Sequence, residues 1–133
     1  MKTSHLILLG LCLPCGLVAA ETPQQVLATY VSEAGKGFSP SAQRGEAFFR
    51  KRFAQSEKMP ACTSCHTDNP KNTGQHAVTG KSIKPMAPVA NAQRLTDMGK
   101  VEKWFKRNCQ EVVARPCSAQ EKADFVLFLS SVK

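Results

Sequence analysis

Cys62, Cys65 and His66, in the run Cys62-Thr63-Ser64-Cys65-His66, are the residues of this 133-residue chain whose types and spacing imply chemistry most directly. Two thiols three positions apart, with an imidazole next to the second, form the attachment signature of c-type haem. The chemistry needs that spacing. On a short helical turn both thiols reach the vinyl groups along one porphyrin edge, and His66 is delivered under the iron as its proximal ligand. The covalent anchor also holds a porphyrin in a chain too short to enclose one by packing alone. Other uses of Cys-x-x-Cys need companions that are missing here. A zinc site wants a second ligand pair at similar spacing, and a redox dithiol sits in a βαβ pattern. One covalent haem c is therefore the expected cofactor.

With the proximal side taken by His66, function turns on the sixth coordination position. A strong thioether or imidazole ligand makes a closed electron carrier; a weak or absent one leaves iron able to bind small molecules. Three residues compete. Met86 stands between two prolines in Lys84-Pro85-Met86-Ala87-Pro88, downstream of the haem turn as in electron-transfer cytochromes c. Its plainer reading is a loop residue at the haem edge. His76 lies only about ten residues beyond the proximal ligand among polar neighbours, which disfavours it, and Met59 and Met98 read as packing residues. The third candidate is Asn108. Val101, Trp104, Phe105 and Asn108 fall at i, i+3, i+4 and i+7, one face of a helix whose outer side carries Lys103, Lys106 and Arg107. An amide on that apolar face needs a partner or costs on the order of 1–3 kcal/mol. Either it bonds a backbone group or a propionate at the helix end, or its oxygen faces the iron.

The elements that position these residues read as helices, with no stretch of sustained period-two alternation. Thr22-Pro23 opens a helix with Val26, Leu27, Tyr30 and Val31 on one face, stopping near Gly35. A second begins near Ser41 and carries Gly45, Ala47, Phe48 and Phe49 towards the haem turn. Residues 67–91 are polar and punctuated by Asn69-Pro70, Thr73-Gly74, Gly80, Pro85 and Pro88, a loop long enough to imply function. Thr96 can cap a helix running to about Gln110. Ser118-Ala119-Gln120-Glu121 is a capping box opening a last helix that buries Phe125, Val126, Phe128 and Leu129. The expected fold is all-α, about five short helices around one haem.

Residues 1–20 read as a cleaved signal peptide: Lys2, an apolar run from Leu6 to Val18, then Ala19-Ala20. That run is too short for a membrane span, which needs about 20 residues. Cys15 raises a lipoprotein alternative, but Pro14 stands where a small residue would be expected. The mature chain is then one domain, residues 21–133, in an oxidising, periplasm-like space. Of six cysteines, Cys12 and Cys15 leave with the signal and two hold the haem, so Cys109 and Cys117 are left as an even pair whose natural fate is a disulfide. All ten acidic residues and seventeen of the eighteen basic ones follow Ala20, leaving a charge of +7. That balance favours an acidic docking partner or an anionic surface, with fast, salt-sensitive encounters. Export, the haem signature and the lack of a basic-aromatic recognition pattern argue against nucleic acid.

The segment Trp104-Phe105-Lys106-Arg107-Asn108-Cys109, the second cysteine at Cys117, and Ser118…Glu121-Lys122-Ala123-Asp124 resemble the oxygen-binding cytochrome c family known as SHP (sphaeroides haem protein). The resemblance spans nearly the whole mature chain and implies a variant of the class I cytochrome c fold. It also implies a sixth ligand directly preceding a disulfide-bonded cysteine, which maps onto Asn108 and Cys109, and a dihaem cytochrome c as electron donor. An amide oxygen is a hard, weak-field ligand suited better to ferric than to ferrous iron. The expectation is thus a monomeric periplasmic cytochrome that accepts electrons from a partner and binds O2 or NO when ferrous. The alternative is a low-spin carrier ligated through Met86. The resemblance brings nitric oxide dioxygenation into view, but no acid–base constellation requires a dedicated reaction. A sensor would need an output domain, which the sequence lacks.

Overall fold

The structure is a computed structural model that describes residues 20–133; apart from Ala20, the segment read as a signal peptide lies outside the described residues. Five helices and one small ladder follow in the order α1 Pro23–Ala34, α2 Ala42–Arg50, α3 Thr63–His66, β1 Gly74–Gln75, β2 Ser82–Ile83, α4 Met98–Val112 and α5 Ala119–Ser131. Among the described residues no helix is long and apolar enough to cross a membrane.

The expected caps form at three of the four long helices. Thr22 and Ser118 each close a capping box, with Gln25 and Glu121 as the reciprocal side chains, and Ser41 accepts from the Arg44 amide. Helix α4 departs from expectation. Its N-cap is Asp97 rather than Thr96, the carboxylate accepting from Lys100 N at 2.9 Å, and it runs two residues past Gln110. A carboxylate outbids a hydroxyl at a helix start because it also meets the positive end of the dipole. The Glu21 carboxylate accepts from Met98 N at the same helix start, tying the head of the described chain to α4. The loop after the haem turn also holds a short antiparallel pair, Gly74 opposite Ile83 and Gln75 opposite Ser82. At two residues per strand, it is too short to leave a period-two pattern.

The core lies where α5 crosses α1 and α2. Val26 and Tyr30 of α1 pack with Val101, Ala123 and Val126, while Phe49 of α2 packs with Phe125, Phe128 and Leu129. Burying a side chain such as Phe49 contributes roughly 2–3 kcal/mol. The α2–α5 crossing is very close: a Cβ at Gly45 would collide with the backbone carbonyl of Asp124 and come within 2.8 Å of the Phe128 Cβ. Beside it the buried Asp124 carboxylate accepts from Ser41 N at 2.6 Å and from Arg44 at 2.7 and 2.8 Å. A third cluster holds Cys109, Val112, Val113 and Cys117, with Met59 packed against it and Met98 against the first, as their reading as packing residues requires. Cys109 and Cys117 lie at disulfide distance, their Cα atoms 5.7 Å apart.

Candidate functional site

Helix α3 is a single turn, and that turn carries the chemistry. Cys65 N and His66 N both donate to the Cys62 carbonyl, at 3.2 and 3.1 Å, so both cysteines and the histidine are fixed by one coil of backbone. The turn ends at Thr67, whose φ of 60° is a left-handed conformation unusual for a β-branched residue. Strain of this kind persists where the surroundings over-determine it, and often near functional groups. Thr67 is held by its own hydroxyl, which accepts from Asn69 N. The chain then returns to press Gly74 onto the Cys65 carbonyl, a spot where any Cβ would collide. Ala77 N donates to the Cys65 sulfur at 3.3 Å.

Cys62 and Cys65 are unpaired and half-buried. Burial pushes the Cys62 thiol up to about 11, with a smaller contribution from Cys65. A thiol so reluctant to ionise makes a poor redox nucleophile, which counts against a thioredoxin-like dithiol. Burial, aided by the charge of Arg94, pushes His66 down to about 4 and leaves a neutral imidazole able to bind iron. Among the described residues no group of three or more His, Cys, Asp or Glu side chains could hold a metal ion by itself. Two free thiols and a neutral imidazole on one turn suit a porphyrin that brings its own iron. The half-buried apolar rim formed by Cys62, Met86, Leu95, Phe48 and Phe105 suits its faces. The donor set and the cradle fit a haem c.

The sixth-ligand candidates separate by their backbone ties. Met86 N and Ala87 N both donate to the carbonyl of Pro70, four residues past His66, at 2.9 and 3.0 Å. The Met86 segment is thereby laced to the turn that follows His66, and Met86 itself rests against the Phe49–Phe125 cluster. His76 is half-buried rather than exposed, its Nδ1 accepting from Val78 N and Thr79 N at 3.3 and 3.2 Å. Those bonds occupy one ring nitrogen in a tight turn.

Asn108 comes from a separate element, α4. The seam that α4 buries is Val101, Cys109 and Val112 with Phe105 beside them. Trp104, expected on that face, is 44% exposed instead. The correction has a geometric cause: Trp104 and Asn108 are i and i+4, a stripe displaced about one residue around the helix from the buried seam. Asn108 is half-buried on that stripe. The polar bonds that anchor α4 go elsewhere: Asp97 to Lys100 N, Arg107 to Glu111, and Glu102 to Tyr30 and Lys122. Asn108 takes part in none of them.

Arg107 and Arg115, the arginines nearest Asn108 and Cys117 in the chain, are engaged by Glu111 and Glu121. The half-buried Arg94 was not legible as a site residue. It sits in a loop with no motif, and only the fold brings its charge to bear on His66.

Comparison with known proteins gives a consistent picture. The family described as a domain of unknown function, DUF1924, matches residues 35–129. The cytochrome c-type protein SHP of Cereibacter sphaeroides is 38% identical over 130 residues, covering 97% of this chain and 98% of that protein. A structure of oxidized SHP, an oxygen-binding cytochrome c, superposes with a TM-score of 0.78 at 39% identity, covering 84% of this chain and 98% of that one. Cytochrome c'' of Methylophilus methylotrophus is 46% identical over 92 residues, which is 68% of this chain and 64% of that protein's length. Its solution structure, described as giving insights into the structural basis of haem-ligand detachment, superposes with a TM-score of 0.69 at 38% identity over 82% of this chain and 92% of that one.

Proposed function

Because this chain belongs to the SHP family of c-type cytochromes and carries one covalent haem c, we propose that it is a ligand-binding cytochrome whose sixth ligand, Asn108, is weak and displaceable. Cys62 and Cys65 form the thioether links and His66 is the proximal ligand. The haem supplies a redox-active iron; the chain's own residues decide what else reaches it. Asn108 would hold the ferric iron through its amide oxygen, and the reduced haem, released from that oxygen, would supply the binding of O2 or NO. An amide is a poor match for ferrous iron, so reduction itself weakens the bond. The Cys109–Cys117 pair, as a disulfide, holds the end of α4 and limits how far Asn108 travels.

The observation that carries this reading is the position of Asn108: half-buried, directly before Cys109, and with its side chain outside the side-chain hydrogen bonds that anchor its helix. The lacing of Met86 to Pro70 supports it by tying the rival methionine to the proximal segment. Resemblance to an oxygen-binding cytochrome c and to a protein studied for haem-ligand detachment agrees with it.

The mature chain begins at Glu21 after export to the periplasm and acts as a monomer. Its charge suits an acidic redox partner, a dihaem cytochrome c being the donor class that the family implies. Replacing Asn108 with Ala tests the reading. The variant keeps covalent haem, loses the ferric ligand's spectral signature, and binds carbon monoxide in the ferrous state at least as fast as the parent. A ferric spectrum unchanged by N108A contradicts it.

A further inference from the structure

Four arginines of this chain meet a carboxylate. Arg44 pairs with Asp124, Arg50 with Glu46, Arg107 with Glu111 and Arg115 with Glu121. Arg94 is different. Like the exposed Arg52 it has no carboxylate partner among the described residues, but unlike Arg52 it is half-buried. Its Nε donates to the Pro85 carbonyl at 2.8 Å and its Nη2 to the Lys84 carbonyl at 2.7 Å. Those two bonds use part of a five-donor fork, and neutral carbonyls leave the positive charge uncompensated. A partly buried cation without a counter-charge is costly unless something supplies one.

The loop presents this side chain firmly. Asn91 Nδ2 shares the Pro85 carbonyl with Arg94 at 3.2 Å, and Arg94 N donates to Asn91 O at 2.9 Å. The next residue, Leu95, stands at a φ of 60°, an uncommon state for a bulky side chain, while its apolar end packs against both major core clusters. The two residues directly following His66 and Arg94, Thr67 and Leu95, thus hold left-handed backbone in the same way. The Lys84–Ala87 segment that Arg94 grips is the one laced to Pro70, just past His66. Arg94 is therefore tied, through the Lys84–Ala87 segment, to the stretch of chain that leaves His66.

A haem brings two carboxylates of its own. We infer that Arg94 is the counter-ion of a haem propionate, bridging that carboxylate to the Lys84 and Pro85 carbonyls and fixing the charge balance on the proximal side of the haem. This rests on the reading that Cys62, Cys65 and His66 hold the haem. A guanidinium is suited to the task because its planar fork can bond a carboxylate on one edge and carbonyls on another. The cation also favours the reduced haem, which carries one more electron; deleting it leaves a propionate uncompensated and disfavours reduction.

The test uses the holoprotein, with Arg94→Gln and Arg94→Lys beside an Arg115→Gln control. The haemochrome spectrum first establishes covalent haem; its absence from the parent would sink the attachment reading and this inference with it, whereas the variants below test this inference alone. With haem present, R94Q is expected to lower the midpoint potential, while R115Q leaves it near the parent and R94K recovers part of the loss. The propionate bending band in the resonance Raman spectrum shifts in R94Q alone. A midpoint and a Raman band in R94Q indistinguishable from those of R115Q overturn the assignment. If R94Q does not mature, proton NMR of the parent decides: cross-relaxation between the Arg94 guanidinium and propionate methylene protons is expected, and its absence overturns the assignment.

Discussion

At the α2–α5 crossing the chain satisfies itself, whereas between α3 and the middle of α4 it leaves chemistry open. The crossing pairs Gly45 with the Asp124 backbone, gives the Asp124 carboxylate three donors, and closes Phe49, Phe125 and Phe128 into one aromatic cluster with centroids 5.6–6.5 Å apart. The other region holds two unpaired thiols, a neutral imidazole, a half-buried arginine without a carboxylate and an asparagine whose side chain joins none of the bonds anchoring its helix. It also contains two of the three non-glycine residues with positive φ found among the described residues, Thr67 and Leu95. One region spends its groups on the fold; the other keeps them for the haem. Mutations should therefore separate stability from haem chemistry.

The sharpest separation comes at Gly45. A side chain there must push α2 off α5, since the obstacles are the Asp124 backbone and the Phe128 Cβ rather than a flexible tip. G45V is expected to cost about 3 kcal/mol of stability, the upper end for overpacking. The haem spectra of whatever folds should match the parent. Denaturant unfolding and absorption spectra on one preparation check both halves, and a change in ferric ligation without loss of stability would break the comparison.

Cys109 tests the border between the regions, because it is buried with Val112 and Val113 yet adjoins Asn108. Closing an eight-residue separation is worth about 2.5 kcal/mol in the chain-entropy model. Cys109→Ser should lose roughly that much, and should also loosen Asn108, seen as faster ferrous binding of carbon monoxide. Loss of stability with ligand binding unchanged would place the bridge wholly with the fold.

The smallest effect is expected where α4 meets the self-satisfied half. Burial pulls the Glu102 carboxyl upward, but bonds from Lys122 and Tyr30 outweigh it and hold the group below its ordinary value. A depressed carboxyl stabilises the fold above its unfolded pKa, and that increment is lost as pH falls through the folded value. Glu102→Gln has no such increment to lose. The parent should be the more stable at neutral pH, by under about 1 kcal/mol for so exposed a pair, and the gap should close in acid. Urea titrations at both pH values read the difference.

The legibility of the sequence follows the same divide. Helices α1, α2 and α5 are written locally, in Thr22-Pro23, in Ser41 and in the Ser118–Glu121 box, and so is the haem turn. The start of α4 was misassigned to Thr96 because two adjacent residues could both cap, and only the carboxylate of Asp97 also meets the dipole. Trp104 was expected inward because a 3.6-residue period does not fix the orientation of a helix to within one residue. Arg94 lay beyond reach. Its importance depends on a loop carrying it back to His66, across a separation that no periodicity records.

The ferric and ferrous absorption spectra of the holoprotein, recorded with and without carbon monoxide, test the central claim most directly. The account predicts a high-spin ferric haem and a ferrous haem that binds carbon monoxide rapidly. A low-spin ferric spectrum with a methionine-to-iron charge-transfer band, and a ferrous haem inert to carbon monoxide, would contradict it and make Met86 the ligand.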